Sequence, residues 1–223
     1  MTDVKQFIKK VLLAFEQSST SIKYDKIYLF EDGPGDIKQI TLSFGITEYG
    51  NLKKFIKEYC DKNGKYAKDL NNYISLIGVK PLVKDTNFIN LLKESAEDPV
   101  MQQCQESAYD SMYINPALEW CSKNNLTLPL SKLVIADSFL QSGSILSKIR
   151  NTFSATTPNN GGNEKEWVEQ YCKARKHWLA NHSRTILHKT VYRVNFMLSI
   201  IKENDWELNQ PAYVANGVKV VAN

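Results

Sequence analysis

Two neighbouring stretches decide the fold: DVKQFIKKVLLAFEQSS, Asp3 to Ser19, and, after a short polar break, KIYLFEDGPGDIKQITLSFG, Lys26 to Gly45. In the first, Val4, Phe7, Ile8, Val11, Leu12 and Phe15 recur at spacings of three and four, which predicts a helix from about Asp3 to Ser18 with one apolar face. Glu16 lies four residues after Leu12, so a carboxylate sits on or beside that face near the helix end. The second stretch opens on an aromatic and β-branched run, KIYLFE, followed by the turn residues Asp32, Gly33, Pro34 and Gly35. It then alternates, with Ile40, Leu42, Phe44 and Ile46 on one face and Thr41, Ser43, Gly45 and Thr47 on the other. The pattern predicts a helix feeding a small β-hairpin whose polar face can look into a cleft.

From Tyr49 onward the periodicity is almost entirely helical. Leu52, Phe55, Ile56 and Tyr59 share a face, and further helices are predicted near 66–77, 86–95, 97–107, 109–123, 128–142, 164–181 and 186–203. Pro81, Pro99, Pro116 and Pro129 punctuate them. SATTPNNGGN, Ser154 to Asn163, reads as a flexible loop, either a lid or a surface connection, and a tail follows around Leu208, Pro211 and Gly217. The fold class expected is mainly α with a small β-hairpin or sheet. With 43% hydrophobic residues in 223, the chain can bury a sizeable core and is expected to be one domain over 1–223.

Composition excludes some classes. The net charge of +4 comes from dispersed Lys and Arg without a dense basic run, so no nucleic-acid partner is expected. No stretch approaches the roughly twenty apolar residues that span a bilayer. The N-terminal segment, split by Lys9 and Lys10, is an amphipathic helix instead of a signal peptide. Cys60, Cys104, Cys121 and Cys172 lack paired spacing and are expected to be buried free thiols, with no metal site.

The most informative residues are charges on apolar faces. Asp137 falls among Leu130, Leu133, Val134 and Leu140, and Arg175 falls within the stripe of Trp167, Tyr171 and Trp178. Arg193 stands three, four and seven residues before Phe196, Met197 and Ile200. A lone buried charge is too costly to persist, so inward charges must pair. Asp137 nearly satisfies Arg175 and Arg193, and the surplus positive charge points to a second carboxylate, Glu16. Against a purely structural ion-pair cluster stands the convergence of three such helices on a carboxylate that leads straight into an acidic, polar-faced hairpin.

At these residues the sequence resembles the glycoside hydrolase family 46 chitosanases, helical two-lobed relatives of the phage-type lysozymes. FEQSS, Phe15 to Ser19, is similar to the family's segment bearing the catalytic glutamate, and DGPG, Asp32 to Gly35, resembles its DGRG-like turn. SAEDPVMQQCQ (Ser95 to Gln105) with Tyr113, Pro116 and Ala117 resembles the long central helix, and IADSFLQSG (Ile135 to Gly143) the aspartate helix. GGNE with KARKHWL, and later VYRVNF, resemble the two arginine segments, and NDWELNQP with Gly217 resembles the family's ending. The chain departs from the pattern in three places. A longer DIKQITLSFG replaces a compact GYT-like stretch, Asn51 stands where an aspartate often meets the substrate amine, and Ser142 replaces a histidine.

The resemblance implies a two-lobed lysozyme-like fold with a substrate cleft between a hairpin-bearing lobe, about 20–60, and a larger helical lobe, about 61–223, on which helix one packs. It implies Glu16 as general acid, Asp32 as base and Thr41 as the residue positioning water, with Asp36, Glu31 and Glu48 as alternative bases. Asp137, Arg175 and Arg193 would form the supporting network, and Tyr28, Glu48 and Asn51 would contact sugar. The chemistry expected is inverting hydrolysis of chitosan, which calls for carboxyls roughly 6.5–9.5 Å or more apart. Desolvation beside Leu12 is expected to help Glu16 keep its proton, with Arg193 opposing. Alternatives are peptidoglycan as substrate, suggested by the basic balance and Asn51, or a catalytically silent sugar-binding protein. The chain is expected to act as a monomer, secreted or exported, on extracellular polysaccharide, with no metal or organic cofactor.

Overall fold

The structure, a computed structural model, describes residues 3–221. It divides into two compact units, one formed by residues 1–21 with 111–223 and the other by 22–110.

The first unit is built on helix α1, Val4–Gln17, whose start is fixed by Asp3 accepting from the amides of Lys5 and Gln6. Ser18 ends it in the left-handed conformation. Phe7, Ile8, Val11, Leu12 and Phe15 are all buried, as the spacing requires. The unit also holds α6 (Asn115–Lys123), α7 (Pro129–Ser142), the short α8 (Ser147–Arg150), α9 (Glu164–Ala180) and α10 (Val191–Lys202). A 3-10 stretch, Thr185–Thr190, precedes α10. α7 packs on α1, α6 and α9, and α9 packs on α10.

One expectation for this unit is corrected, that of an unstructured tail, and of the two readings of the loop Ser154 to Asn163 the surface connection is the one that fits. The tail is a hairpin of strands β4, Ala212–Ala215, and β5, Val218–Val221, that packs on α1. Its turn is Asn216-Gly217, both at positive φ, the two-residue turn that matches strand twist, and this dipeptide was the signal the sequence offered. The loop Ser154 to Asn163 is pinned along its length and does not have the character of a lid. Arg150 donates to the carbonyls of Phe153 and Ala155, Ala155 N donates to Gln170, and Thr157 Oγ1 bonds Asn124.

The second unit contains a three-stranded antiparallel sheet of β1 (Ile27–Phe30), β2 (Gln39–Leu42) and β3 (Ile46–Thr47), in that order. A hairpin was expected with alternation running through 47, but Ser43 and Gly45 take positive φ and the strand ends at Leu42. Helices α2 (Leu52–Asp61), α3 (Ala67–Asn71), α4 (Thr86–Ser95) and α5 (Pro99–Tyr109) complete the unit. The expected lobe boundary near residue 60 is thus displaced to 110, because α2 buries Leu52, Phe55, Ile56 and Tyr59 against β3, α3 and α5. One lock holds these helices: Tyr59 donates to Asp98 at 2.5 Å, and Asp98 also accepts from the amides of Lys65 and Val100. α5 runs into a π-helical turn, Asp110–Ile114, and then α6, where a single helix over 109–123 was expected.

Cys60, Cys104, Cys121 and Cys172 are free thiols; the last three are buried and Cys60 is half-buried. No helix among the described residues is long and apolar enough to cross a membrane.

Candidate active site

The inward charges on the first unit meet. Asp137 is fully buried on α7, and its Oδ2 faces Arg175 Nη1 at 2.7 Å. Its Oδ1 accepts from Arg193 Nε at 2.8 Å and Nη2 at 2.5 Å. Arg193 also clamps Glu16 Oε1 through Nη1. Two guanidiniums therefore face two carboxylates, and the cluster is close to neutral, the condition under which buried charge is tolerated. Burial alone would raise the Asp137 carboxyl, but Arg193 and Arg175 outweigh it and hold it below the usual carboxylate range. Burial would likewise lower Arg193, yet Asp137 and Glu16 push its proton affinity up.

The end of α1 is fixed around this cluster. Tyr192 donates to the Phe15 carbonyl at 2.9 Å, its ring meets Phe15 edge-on, and the Arg193 guanidinium lies over the Phe15 ring. Glu16 itself is not desolvated as expected: its side chain is 38% exposed while Arg193 beside it is 4% exposed. The Tyr113 hydroxyl, pushed up to about 12 by burial and by the charge of Glu16, belongs to the same surroundings.

The sequence reading missed the next tier. Gln141, one turn after Asp137, accepts from Arg175 Nη2 at 2.5 Å and donates to Thr190 Oγ1 at 2.8 Å. Ser138 takes the Tyr171 hydroxyl at 2.9 Å. The i, i+4 spacing of Asp137 and Gln141 on one helix was the available signal, but a half-buried amide has no distinctive pattern.

In the second unit the sheet collects the remaining candidates. Tyr28 stands opposite Thr41, Phe30 opposite Gln39, and Thr41 opposite Thr47, so these side chains share one face while Ile40, Leu42 and Ile46 form the other. Asp32 is exposed and accepts from Gln39 Nε2 at 2.9 Å, and Gln39 Oε1 accepts from Tyr49 N at 3.1 Å. Gly33 permits this turn because a Cβ there would lie 2.6 Å from the Ile37 carbonyl oxygen. Glu31 and Asp36 are exposed, and no side chain among the described residues holds them in this way. Thr41 is 7% exposed, and its hydroxyl bonds no group among the described residues. Tyr28 is 37% exposed and stacks on the ring of Phe30, giving the sheet face an aromatic surface.

Of the expected sugar contacts, Glu48 is reassigned and Asn51 has its side-chain oxygen engaged by the backbone. Glu48 is 1% exposed, with one oxygen on Ile40 N at 3.0 Å and the other on Leu82 N at 2.7 Å. It is a buried clasp between chain segments and can neither reach sugar nor serve as base. Asn51 accepts from Thr47 N at 2.9 Å and closes the turn into α2. Among the described residues no group of His, Cys, Asp or Glu is arranged to hold a metal ion.

The sequence profile of glycosyl hydrolase family 46 matches residues 10–212, a span that holds the whole cluster and the acidic turn. The chain belongs to that family. This family 46 enzyme is 27% identical over 230 aligned residues to the chitosanase of Bacillus subtilis strain 168, covering 95% of this chain and 82% of that one. Its fold is similar to that of a mutant chitosanase from Bacillus subtilis MY002 complexed with 6 GlcN, at TM-score 0.76, 23% identity and coverage of 99% and 98%. It is also similar to a family 46 chitosanase of Gynuella sunshinyii in complex with chitotetraose, at TM-score 0.79, 18% identity and coverage of 100% and 99%. The mainly helical, lysozyme-like fold and the glycoside hydrolase assignment expected from the sequence both stand.

Proposed function

We propose that this family 46 enzyme cleaves β-1,4 bonds between glucosamine units of chitosan, internally and with inversion. Glu16 donates the proton to the leaving oxygen, and Asp32 accepts a proton from water that attacks the opposite face of the sugar. The single observation carrying this reading is the buried Asp137, Arg175 and Arg193 cluster, which ends on one partly exposed carboxylate, Glu16. Holding two arginines inside a protein is costly, and a cluster that only set helix register would have no need of a fourth, solvent-facing member. Asp32 is favoured over Glu31 and Asp36 because Gln39 fixes one of its oxygens and leaves the other available. Thr41, with a buried hydroxyl that lacks a protein partner, suits the water-holding role. Tyr28 supplies an aromatic surface for a sugar ring. No step in this chemistry calls for a cofactor, and the reading goes with secreted or exported action on extracellular polysaccharide.

The test compares wild type, Glu16→Gln and Asp32→Asn on chitosan and on purified cell walls. Each substitution should lower chitosan hydrolysis by about 10²–10⁴-fold, the usual weight of a positioned acid or base. Cell-wall hydrolysis exceeding that of chitosan would replace chitosan by peptidoglycan. Sugar binding without hydrolysis in the wild type would leave only the silent binding protein.

A further inference from the structure

The side-chain amide of Gln141 is held at both ends. Its Oε1 accepts from Arg175 Nη2 at 2.5 Å and its Nε2 donates to Thr190 Oγ1 at 2.8 Å. Thr190 spends its own proton on the Leu187 carbonyl at 2.7 Å. The hydroxyl can then only accept from Gln141, so the amide cannot turn over and its oxygen stays on Arg175. Arg175 is divided, with Nη1 on Asp137 Oδ2 and Nη2 on Gln141 and, at 3.5 Å, on the Asp137 main-chain carbonyl, while Asp137 Oδ1 serves Arg193. Thr190 also directly precedes α10, three residues before Arg193, so the same amide ties α7 to the start of the helix that presents Arg193 to Glu16.

We infer that Gln141 is a positioning residue for Glu16: by holding one arm of Arg175 off the Asp137 carboxylate, it sets how that carboxylate divides between the two arginines and how much of Arg193 is left for Glu16. This rests on the acid role proposed for Glu16. The charged and titratable groups around the relay are Asp137 on α7, Arg175, Tyr171 and Cys172 on α9, Tyr192 and Arg193 on α10, Glu16 on α1, and Tyr113. Burial raises Tyr171, Cys172, Tyr192 and Tyr113, so these stay neutral through the neutral range.

The experiment measures kcat, KM and the pH–rate profile of wild type, Gln141→Met and Gln141→Glu on a glucosamine hexamer, each checked for folding by thermal melting. Gln141→Met removes the acceptor, turns Arg175 fully onto Asp137 and releases more of Arg193 to the ionised form of Glu16. The alkaline limb, which reports the essential acid, should move to lower pH. Gln141→Glu captures Arg175, so Asp137 draws Arg193 away from Glu16 and the limb should move to higher pH. Both should lower kcat about tenfold with KM within about twofold, the pattern of an interaction felt in the transition state. Should Gln141→Met fail to fold, Thr190→Val reads the same relay: the freed amide can present its NH2 to Arg175, and the limb should again move down.

Limbs that stay in place, or move in the same direction in both Gln141 variants, overturn the positioning role. Glu16→Gln, run in parallel, separates the two failures. If it abolishes turnover while the limbs stay in place, only the role of Gln141 is wrong. If it retains turnover, the acid assignment fails and this inference falls with it.

Discussion

The two candidate catalytic carboxylates are held by opposite kinds of structure. Glu16 is reached by charge: a buried cation grips it, and that cation is balanced by a second buried carboxylate and a second cation. Asp32 is reached by neutral groups: one amide side chain holds it, and that side chain is anchored in turn on a backbone N–H. The difference teaches that the support of Glu16 is inseparable from folding, whereas the support of Asp32 is a local matter of hairpin geometry. Damage to the first should cost stability and activity together; damage to the second should cost activity alone.

Four substitutions sharpen or break that contrast. The largest effect is expected for Asp137→Ala, which leaves Arg175 and Arg193 buried without their shared partner. It should destabilise the protein by about 3–5 kcal/mol, read as a fall in the denaturant midpoint, together with loss of hydrolysis. A protein that tolerates it with full stability would mean that the cluster is not held by charge. Next is Glu48→Ala, which orphans the amides of Ile40 and Leu82. About 1–3 kcal/mol should be lost, with KM for chitosan unchanged in the folded fraction, and a large rise in KM would return Glu48 to the sugar-binding surface.

The third effect depends on pH. Burial pushes Asp98 up, but the Tyr59 hydroxyl and the amides of Val100 and Lys65 more than reverse this, so its carboxyl sits below the ordinary range, as does that of Asp137. The unfolded chain takes up these protons near about pH 3.9 and the folded chain only at lower pH, so their stabilisation is present above about pH 4 and is lost as pH falls below it. Urea midpoints at pH 7 and pH 3 should differ clearly in the wild type and less in Asp98→Asn. An equal drop in both would show that Asp98 does not contribute. The smallest stability change is expected for Gln39→Leu, within about 1 kcal/mol, with kcat lowered about tenfold because Asp32 loses its orientation. Unchanged kcat there would make one of the other hairpin carboxylates the base.

Much of the first unit was legible because helical periodicity records which side chains point inward. Asp137, Arg175 and Arg193 stand out as charges among apolar neighbours, and charges so placed must find one another. Gln141 and Ser138 carry no charge and so left no comparable mark. Glu48 misled for the opposite reason: a carboxylate near an acidic turn reads as a ligand group, and only tertiary structure shows both its oxygens spent on backbone amides distant in sequence. The β4–β5 hairpin and the extent of the second unit depended on a two-residue turn and on which helices pack against a short sheet. Long-range packing of that kind is weakly encoded in any local window.

The central proposal is inverting hydrolysis of the glucosaminide bond, with Glu16 as acid and Asp32 as base. The most direct measurement follows the anomeric protons by NMR in the first moments of glucosamine hexamer hydrolysis, before mutarotation. The account predicts that the α-anomer appears first, from inversion at a β-1,4 bond. A first product in the β-form would contradict it, because retention requires one of the carboxylates to bond to the sugar.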